Sequence, residues 1–363
     1  MIVVVALFWL SLGALVWTHV LYPLAVSAAG KIFGRPFRGA DFEPTVAIIV
    51  AAANEEAVIE RRVRNLLELD YPPEKLQVIV SSDASTDRTD ELAAAAGARV
   101  IRNPRGGKVA AQDRAVRESE SELVAFSDAN ATWAPDALRK LVRAFADPRV
   151  GYACGQLRLQ AADGANQEGL YWRYEMAVRL GESRLGSITG GNGSIYAVRR
   201  ADYVEVDPRF GHDLSLPYLM VQHGRRAVYV PGAHAFEKPT PTNETEYRRK
   251  VRMFEHCWLI VLRGKMLRRL PPLYLVQIIS HRHLRYASGL LHLVLLATSI
   301  ALVTHGWIYQ AVLAAQVLLL AAAALGVGIA RYYVLVSWAT VVALWNFLRR
   351  GVPATWDAAE GTR

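Results

Sequence analysis

Residues 46–90 read VAIIVAAANEEAVIERRVRNLLELDYPPEKLQVIVSSDASTDRTD, and their pattern decides the fold. Residues 46–53 form an apolar run too short for a helix and bounded by polar residues, which predicts a fully buried strand of a parallel sheet. Residues 59–69 carry apolar side chains at helical spacing. Tyr71-Pro72-Pro73 ends that helix, because proline lacks an amide hydrogen and restricts the residue before it. Residues 76–80 are a second buried strand, ending in Ser81-Ser82-Asp83. Strand, helix, strand predicts an α/β unit, and open α/β sheets bind ligands at the carboxyl ends of their strands. Asn54, Glu55 and Asp83 are therefore expected to line one crevice.

The surrounding chain bounds the class of protein. Its 363 residues are 52% hydrophobic and 21% charged, with a net charge of +9, a mixture that suits a water-soluble domain joined to membrane helices. No basic tract is interleaved with aromatics as single-strand nucleic-acid binders require, so nucleic acid is not an expected partner. Many arginines flank apolar stretches instead, among them Arg35, Arg38, Arg268, Arg269, Arg282, Arg285, Arg349 and Arg350, which points to anionic membrane lipid. Cys154 and Cys257 are the only cysteines; with no Cys/His cluster they predict neither a disulfide framework nor a zinc site, and a cytoplasmic setting.

Residues 2–29 are nearly charge-free and long enough to span a bilayer, which takes about 20 apolar residues. Lys31, Arg35 and Arg38 follow at once, placing that end inside, so residues 1–30 are expected to be an uncleaved anchor and residues 44–265 a cytosolic domain. Residues 270–286, which include His281, Arg282, His283 and Arg285, predict an amphipathic interfacial helix. Three apolar stretches then fill residues 287–348, before a basic tail over 349–363. Strict alternation would put the carboxyl end outside, whereas Arg349, Arg350 and Arg363 favour inside.

Several shorter signals carry chemistry. Asn103-Pro104-Arg105-Gly106-Gly107-Lys108 opens a helix, and a cation at a helix amino end suits phosphate, although the same residues also make an ordinary turn. Residues 123–126 are a buried strand followed by Ser127-Asp128-Ala129-Asn130. Two oxygen ligands two residues apart on an extended segment point the same way and suit a hard divalent cation; for Asn130 a turn-capping role weighs equally. Glycines in Gly190-Gly191-Asn192-Gly193 let backbone approach a ligand closely. Asp213 can serve as a helix N-cap, and His212 beside it either shapes that carboxylate's pKa or, as expected here, is an ordinary surface histidine. Arg249 and Arg252 share a helix face, suited to gripping diphosphate or to resting on lipid headgroups. The residues 240–244 are expected to form a polar loop near the site.

Asn54-Glu55-Glu56 after the first strand and Ser81-Ser82-Asp83-Ala84-Ser85-Thr86-Asp87 after the second resemble the nucleotide-binding half of family-2 glycosyltransferases, the group of cellulose, hyaluronan and poly-N-acetylglucosamine synthases and polyprenyl-phosphate sugar transferases. The resemblance covers roughly residues 44–260. It implies a Rossmann-like GT-A fold, α/β with a mostly parallel mixed sheet, flanked by transmembrane helices. It also implies an inverting enzyme that moves sugar from a nucleotide-sugar donor, UDP-linked in most of the family, to a polysaccharide or lipid-linked acceptor at the cytoplasmic face of a bacterial inner or plasma membrane.

Carried over position by position, Asn54, Glu55 and Asp83 hold the nucleoside, and Lys108, Arg249 and Arg252 face the diphosphate. Asp128 and Asn130 stand where the family has its Asp-x-Asp motif for Mg2+ or Mn2+. Asp213 is the base, and Gly191, Asn192, Gly193 and Glu237 lie on the acceptor side. The sequence departs from the family at Asn130, at His212, where an acid is usual, and at Met253, where processive synthases have the Trp of Gln-x-x-Arg-Trp. Those departures leave a non-catalytic sugar-nucleotide binder that regulates a partner synthase as the competing expectation.

Overall fold

The computed structural model describes residues 1–159, 170–238 and 243–354. Eight strands form one mixed sheet: β1 Val46–Ala52, β2 Leu76–Asp83, β3 Arg99–Asn103, β4 Leu123–Ser127, β5 Thr132–Trp133, β6 Val150–Leu159, β7 Tyr196–Arg199 and β8 Arg226–Glu237. Their spatial order is β3-β2-β1-β4-β7-β6-β8-β5. The first four pair in parallel, β7 runs antiparallel between β4 and β6, and β8 pairs in parallel with β6.

Central position explains the composition of β1. It has strands on both edges and helices on both faces, so Val46 to Val50 are completely buried and no polar face survives. One apolar layer gathers the odd side of β1 with Ile79, Phe126, Tyr152 and Tyr196; the other gathers Ile48, Val50, Val78 and Val80.

In chain order the helices are α1 Ile2–Ile32, α2 Ile59–Leu67, α3 Thr89–Ala95, α4 Lys108–Arg117, α5 Ala137–Val142, α6 Leu170–Leu185, α7 His212–Gln222, α8 Asn243–Arg263, α9 Pro272–Tyr286, α10 Ser288–Ala301, α11 Trp307–Ala324 and α12 Gly328–Arg350. On α2, Ile59, Val63 and Leu66 are fully buried against the sheet, each worth roughly 1.5–3 kcal/mol. Helices α1, α11 and α12 are long and apolar enough to cross a membrane, and α9 with α10 forms a pair bent by 65° that passes the same test together.

The membrane-type helices are keyed into the α/β domain. Gly30 on α1 faces Gly181 on α6 so closely that a Cβ at residue 30 would come within 2.8 Å of the Gly181 Cα. On α8, Trp258 Nε1 donates to the Thr340 carbonyl of α12 at 2.9 Å.

On α9, Gln277, Ser280 and His281 are buried, and Arg285 pairs with Glu175 of α6. Two glutamates of α6 need partners where water is excluded, and α9 supplies them. Strand β8 continues past Pro231 to Glu237, through a shift in register between Cys154 and Gln156 of β6. Most of the loop expected over 240–244, the start of the helix expected at Glu168, and the end of the basic tail lie outside the described residues.

Candidate active site

The carboxyl ends of β1, β2 and β4 open into one crevice, and each contributes an anchored turn. At the end of β1, Asn54 takes a left-handed backbone conformation, φ 55°, which asparagine tolerates better than most residues. Its side-chain oxygen accepts from the Thr86 amide at 2.8 Å, tying this turn to the β2–α3 loop, while the Glu55 amide donates to Thr89 Oγ1 at 2.7 Å. At the end of β2, Asp83 is buried and accepts from the amides of Gly106, at 2.6 Å, and Gly107, at 3.1 Å. Asp83 thus holds the loop that delivers Lys108 to the first position of α4.

Past β4 the chain turns at once. The Ala131 amide bonds back to the Asp128 carbonyl at 3.3 Å, so Asp128 and Asn130 sit on a turn and not on the extended segment expected. Asp128 alone of the pair is seen in the acidic cluster. Its Oδ1 meets Lys108 Nζ, and its Oδ2 accepts from Ser194 Oγ at 3.1 Å. The same hydroxyl contacts Glu237 Oε1 at the end of β8.

One hydroxyl proton cannot serve two carboxylates. The arrangement closes when Glu237 keeps its own proton and donates to Ser194, which then donates to Asp128. Burial, with the charge of Asp128 beside it, pushes the Glu237 carboxyl up to about 7, as that order requires. Lys108 shows the complementary effect: burial opposes its charge, but Asp128, Asp213 and Glu237 more than offset this and hold its pKa above the ordinary value.

This donor set is a fit test for a divalent ion. Two carboxylates and a hydroxyl oxygen converge, and all are hard oxygen ligands. Among the described residues no group of three or more His, Cys, Asp or Glu side chains is disposed to hold a metal; an ion held here would take most of its ligands from diphosphate and water.

The glycine segment spans the crevice. The Gly191 amide donates to the Asp213 carbonyl at 2.6 Å, and its carbonyl accepts from Arg179 Nη2 at 3.1 Å. Only glycine fits there, because a Cβ would overlap the Tyr152 hydroxyl. The Asn192 side chain folds inward to the Gly155 carbonyl, at 2.7 Å, and to the Ile195 amide, at 2.9 Å, shaping the loop instead of facing an acceptor. Gly193 lies over Lys108 and Asp128.

Asp213 stands in the first turn of α7, with Gly211 as the N-cap. Arg249 forms a two-point pair with Glu246 on its own helix, at 2.8 and 2.9 Å, and its charge reaches Glu237. Arg252, on the same helix, is next to Met253, which is exposed.

Three residues with no assigned role turn out to frame the site. Arg62, 1% exposed, stacks on Trp133, donates to Ser127 Oγ at 2.6 Å and reaches Asn65. Trp133 Nε1 in turn donates to the Ser194 carbonyl at 2.9 Å. A buried cation therefore underlies the acidic cluster along two routes. The one sequence signal was its register: residues 59, 62, 63 and 66 form the buried stripe of α2, and an arginine on an apolar stripe needs a partner. His212 is buried, not at the surface, and both ring nitrogens meet tyrosine hydroxyls.

A mixed sheet with its acids at the carboxyl edge, a glycine segment across them and helices apolar enough for a membrane at both ends make up a GT-A fold. The solved mannosyltransferase PcManGT from Pyrobaculum calidifontis, in complex with GDP-Man and Mn2+, superposes with a TM-score of 0.73 over 95% of this chain and 98% of its own, at 24% identity. Residues 47–206 match Glycosyl transferase family 2. The chain is 34% identical over 160 residues to a beta-monoglucosyldiacylglycerol synthase of Nostoc sp., a match covering 40% of this chain and 34% of the synthase. An N-acetylglucosaminyltransferase of Sinorhizobium fredii is 31% identical over 224 residues, 55% of this chain and 54% of the relative. The chain thus spans about a third to a half of the length of these curated relatives.

Proposed function

We propose that this protein is an inverting glycosyltransferase of the cytoplasmic membrane face, moving one sugar from a nucleotide-sugar donor, a UDP-sugar in the first instance, to a lipid-linked or polysaccharide acceptor. One observation carries the reading: the segment from Gly191 to Ser194 bonds to the main-chain carbonyl of Asp213 at one end and to the Asp128 carboxylate at the other, and the charges of both acids reach Lys108. A base candidate and an ion-binding candidate thereby flank one short strip of backbone.

In this reading Asn54, Glu55 and Asp83 line the nucleoside end, and Lys108, with Arg249 and Arg252, draws the diphosphate by charge. Asp128, with Glu237, Ser194 and the nearby Asn130, would hold Mg2+ or Mn2+, which when bound supplies positive charge against the leaving diphosphate. Asp213 accepts the proton of the acceptor hydroxyl as its oxygen attacks the anomeric carbon; the bond from that carbon to the diphosphate oxygen breaks on the opposite face, inverting the centre. The acceptor approaches along Gly191 and Gly193. Lys31 in the last turn of α1, with Arg35 and Arg38 just after it, supports a cytoplasmic domain.

Purified protein in detergent, with Mn2+ or Mg2+ and a panel of UDP- and GDP-sugars, is assayed for nucleotide release, with and without diacylglycerol or polyprenyl phosphate. Wild type releases nucleotide with one donor; Asp213→Asn binds that donor as well as wild type and releases none, the signature of an interaction made only in the transition state. Equal donor binding with no turnover by either protein, whatever the acceptor, would overturn the catalytic reading in favour of a regulator.

A further inference from the structure

His212 occupies a chain of hydrogen bonds whose direction is fixed by its ends. Tyr203 Oη donates to the Asp113 carboxylate at 2.5 Å, which uses its only proton. It can therefore meet His212 Nε2, at 3.3 Å, only as an acceptor, so Nε2 carries the hydrogen. The ring is neutral: burial, with the charge of Lys108, pushes its pKa down to about 3. Nδ1 is then bare and accepts from Tyr196 Oη at 2.9 Å, while the Tyr196 oxygen accepts from the Gln112 amide at 3.4 Å.

Both ends of this chain, Gln112 and Asp113, belong to α4, the helix that begins with Lys108. Its middle is the first residue of α7, directly before Asp213. Phe126 of β4 closes the ring in edge-on, 5.7 Å between centroids. The titratable groups facing the imidazole are Tyr196 from β7, Tyr203 from the loop after it, Asp113 and Lys108 from α4, and Asp213 on its own helix.

We propose that His212 is a positioning residue: an Nε2-protonated imidazole that locks the first turn of α7, and Asp213 with it, against the helix carrying Lys108. This rests on the reading of Asp213 as the base.

Two measurements separate the proposal from that reading. Protein labelled with 15N-histidine, with the His212 signal assigned by its loss in His212→Phe, should show a single Nε2–H tautomer unchanged from about pH 7 to about pH 9, where the Asp113 carboxyl is ionised, in wild type and equally in Asp213→Asn. Kinetically, His212→Phe keeps a flat ring without either bond and should lower kcat for nucleotide release about tenfold or more while donor KM stays within about twofold. Tyr203→Phe, which leaves the imidazole in place, should lower kcat by a smaller factor and mix the tautomers; it carries the test if His212→Phe fails to fold.

A His212 that titrates in that range, an Nδ1–H tautomer, or His212→Phe and Tyr203→Phe turning over like wild type would each overturn the proposal. Wild-type protein inert with every donor would sink the reading of Asp213 instead, and the tautomer would then decide the hydrogen-bond chain by itself.

Discussion

Glu237 holds a proton that an ordinary glutamate gives up near 4.5 and that here is retained to about 7. A proton bound more tightly in the folded chain than in the unfolded one stabilises the fold fully below the unfolded value, and that contribution is lost as pH rises through the folded value. The metal-free protein should therefore lose stability between those limits, by on the order of 1–3 kcal/mol from this group. Asp113, raised from 3.8 to about 6 by burial, adds to the loss in the lower part of the window. The measurement is thermal unfolding in detergent: without metal, wild type should melt lower at about pH 8 than at about pH 5, Glu237→Gln should flatten that slope, and Mn2+ should restore stability more at the higher pH. Parallel melting curves for the two proteins would show that Glu237 is not the group responsible. Asp128 was legible in the sequence, because an acid directly after a buried strand marks the binding edge of an α/β sheet. The proton shared through Ser194 was not: it exists only because the end of β8 and the segment before β7 meet there, and no local pattern encodes that meeting. Arg62 sat in plain view on an apolar stripe, but its partner Ser127 lies 65 residues away.

Among the elements, most of the parallel half of the sheet was readable because β1, β2 and β4 are mainly apolar runs stopped by turn residues. Strand β8 shows where such reading ends. A proline inside a strand normally marks its edge or its end, so residue 231 looked like a terminus. In the fold, the shift in register against β6 absorbs Pro231 and lets the strand run on to deliver Glu237. The glycine segment poses the converse case, where its composition announced close approach without saying to what. The answer is Tyr152, whose hydroxyl occupies the space a Cβ at residue 191 would need. Gly191→Ala must push the segment off Tyr152 and weaken the Gly191 amide bond to the Asp213 carbonyl. It should cost about 1–3 kcal/mol in stability and lower nucleotide release at least about tenfold, whereas Gly328→Ala, on the exposed first turn of α12 with nothing near the added Cβ, should leave turnover near wild type. Stability and release both unchanged in Gly191→Ala would mean that the segment does not position the site.

At the scale of the whole molecule, the apolar helices were legible from length and hydropathy, but their attachment was not, because the attachment is polar. Glu182 on α6 is fully buried and ties three parts of the chain together. It accepts from Tyr22 of α1 at 2.6 Å and from the Thr189 amide, next to the glycine segment, at 3.1 Å, and it meets His281 Nδ1 of α9 at 2.7 Å. Arg282 adds a bond from Nε to Thr189 Oγ1 at 3.0 Å. Helix α1, the bent pair α9–α10 and the glycine segment thus share one carboxylate, and a change at either helical element has a short route to Gly191. Glu182→Ala leaves Tyr22, Thr189 and His281 buried without that acceptor, and each lost partner costs about 1–3 kcal/mol, so the protein in detergent should melt lower by several degrees. Glu182→Gln keeps an acceptor oxygen and should fall between the two. Because Thr189 leads directly into the glycine segment, nucleotide release should drop in the same order, while donor affinity, which the proposed function assigns to Asn54 and Asp83, should stay near wild type. Loss of donor binding in parallel with melting would show instead that Glu182 supports the fold as a whole, with no particular line to the acceptor side.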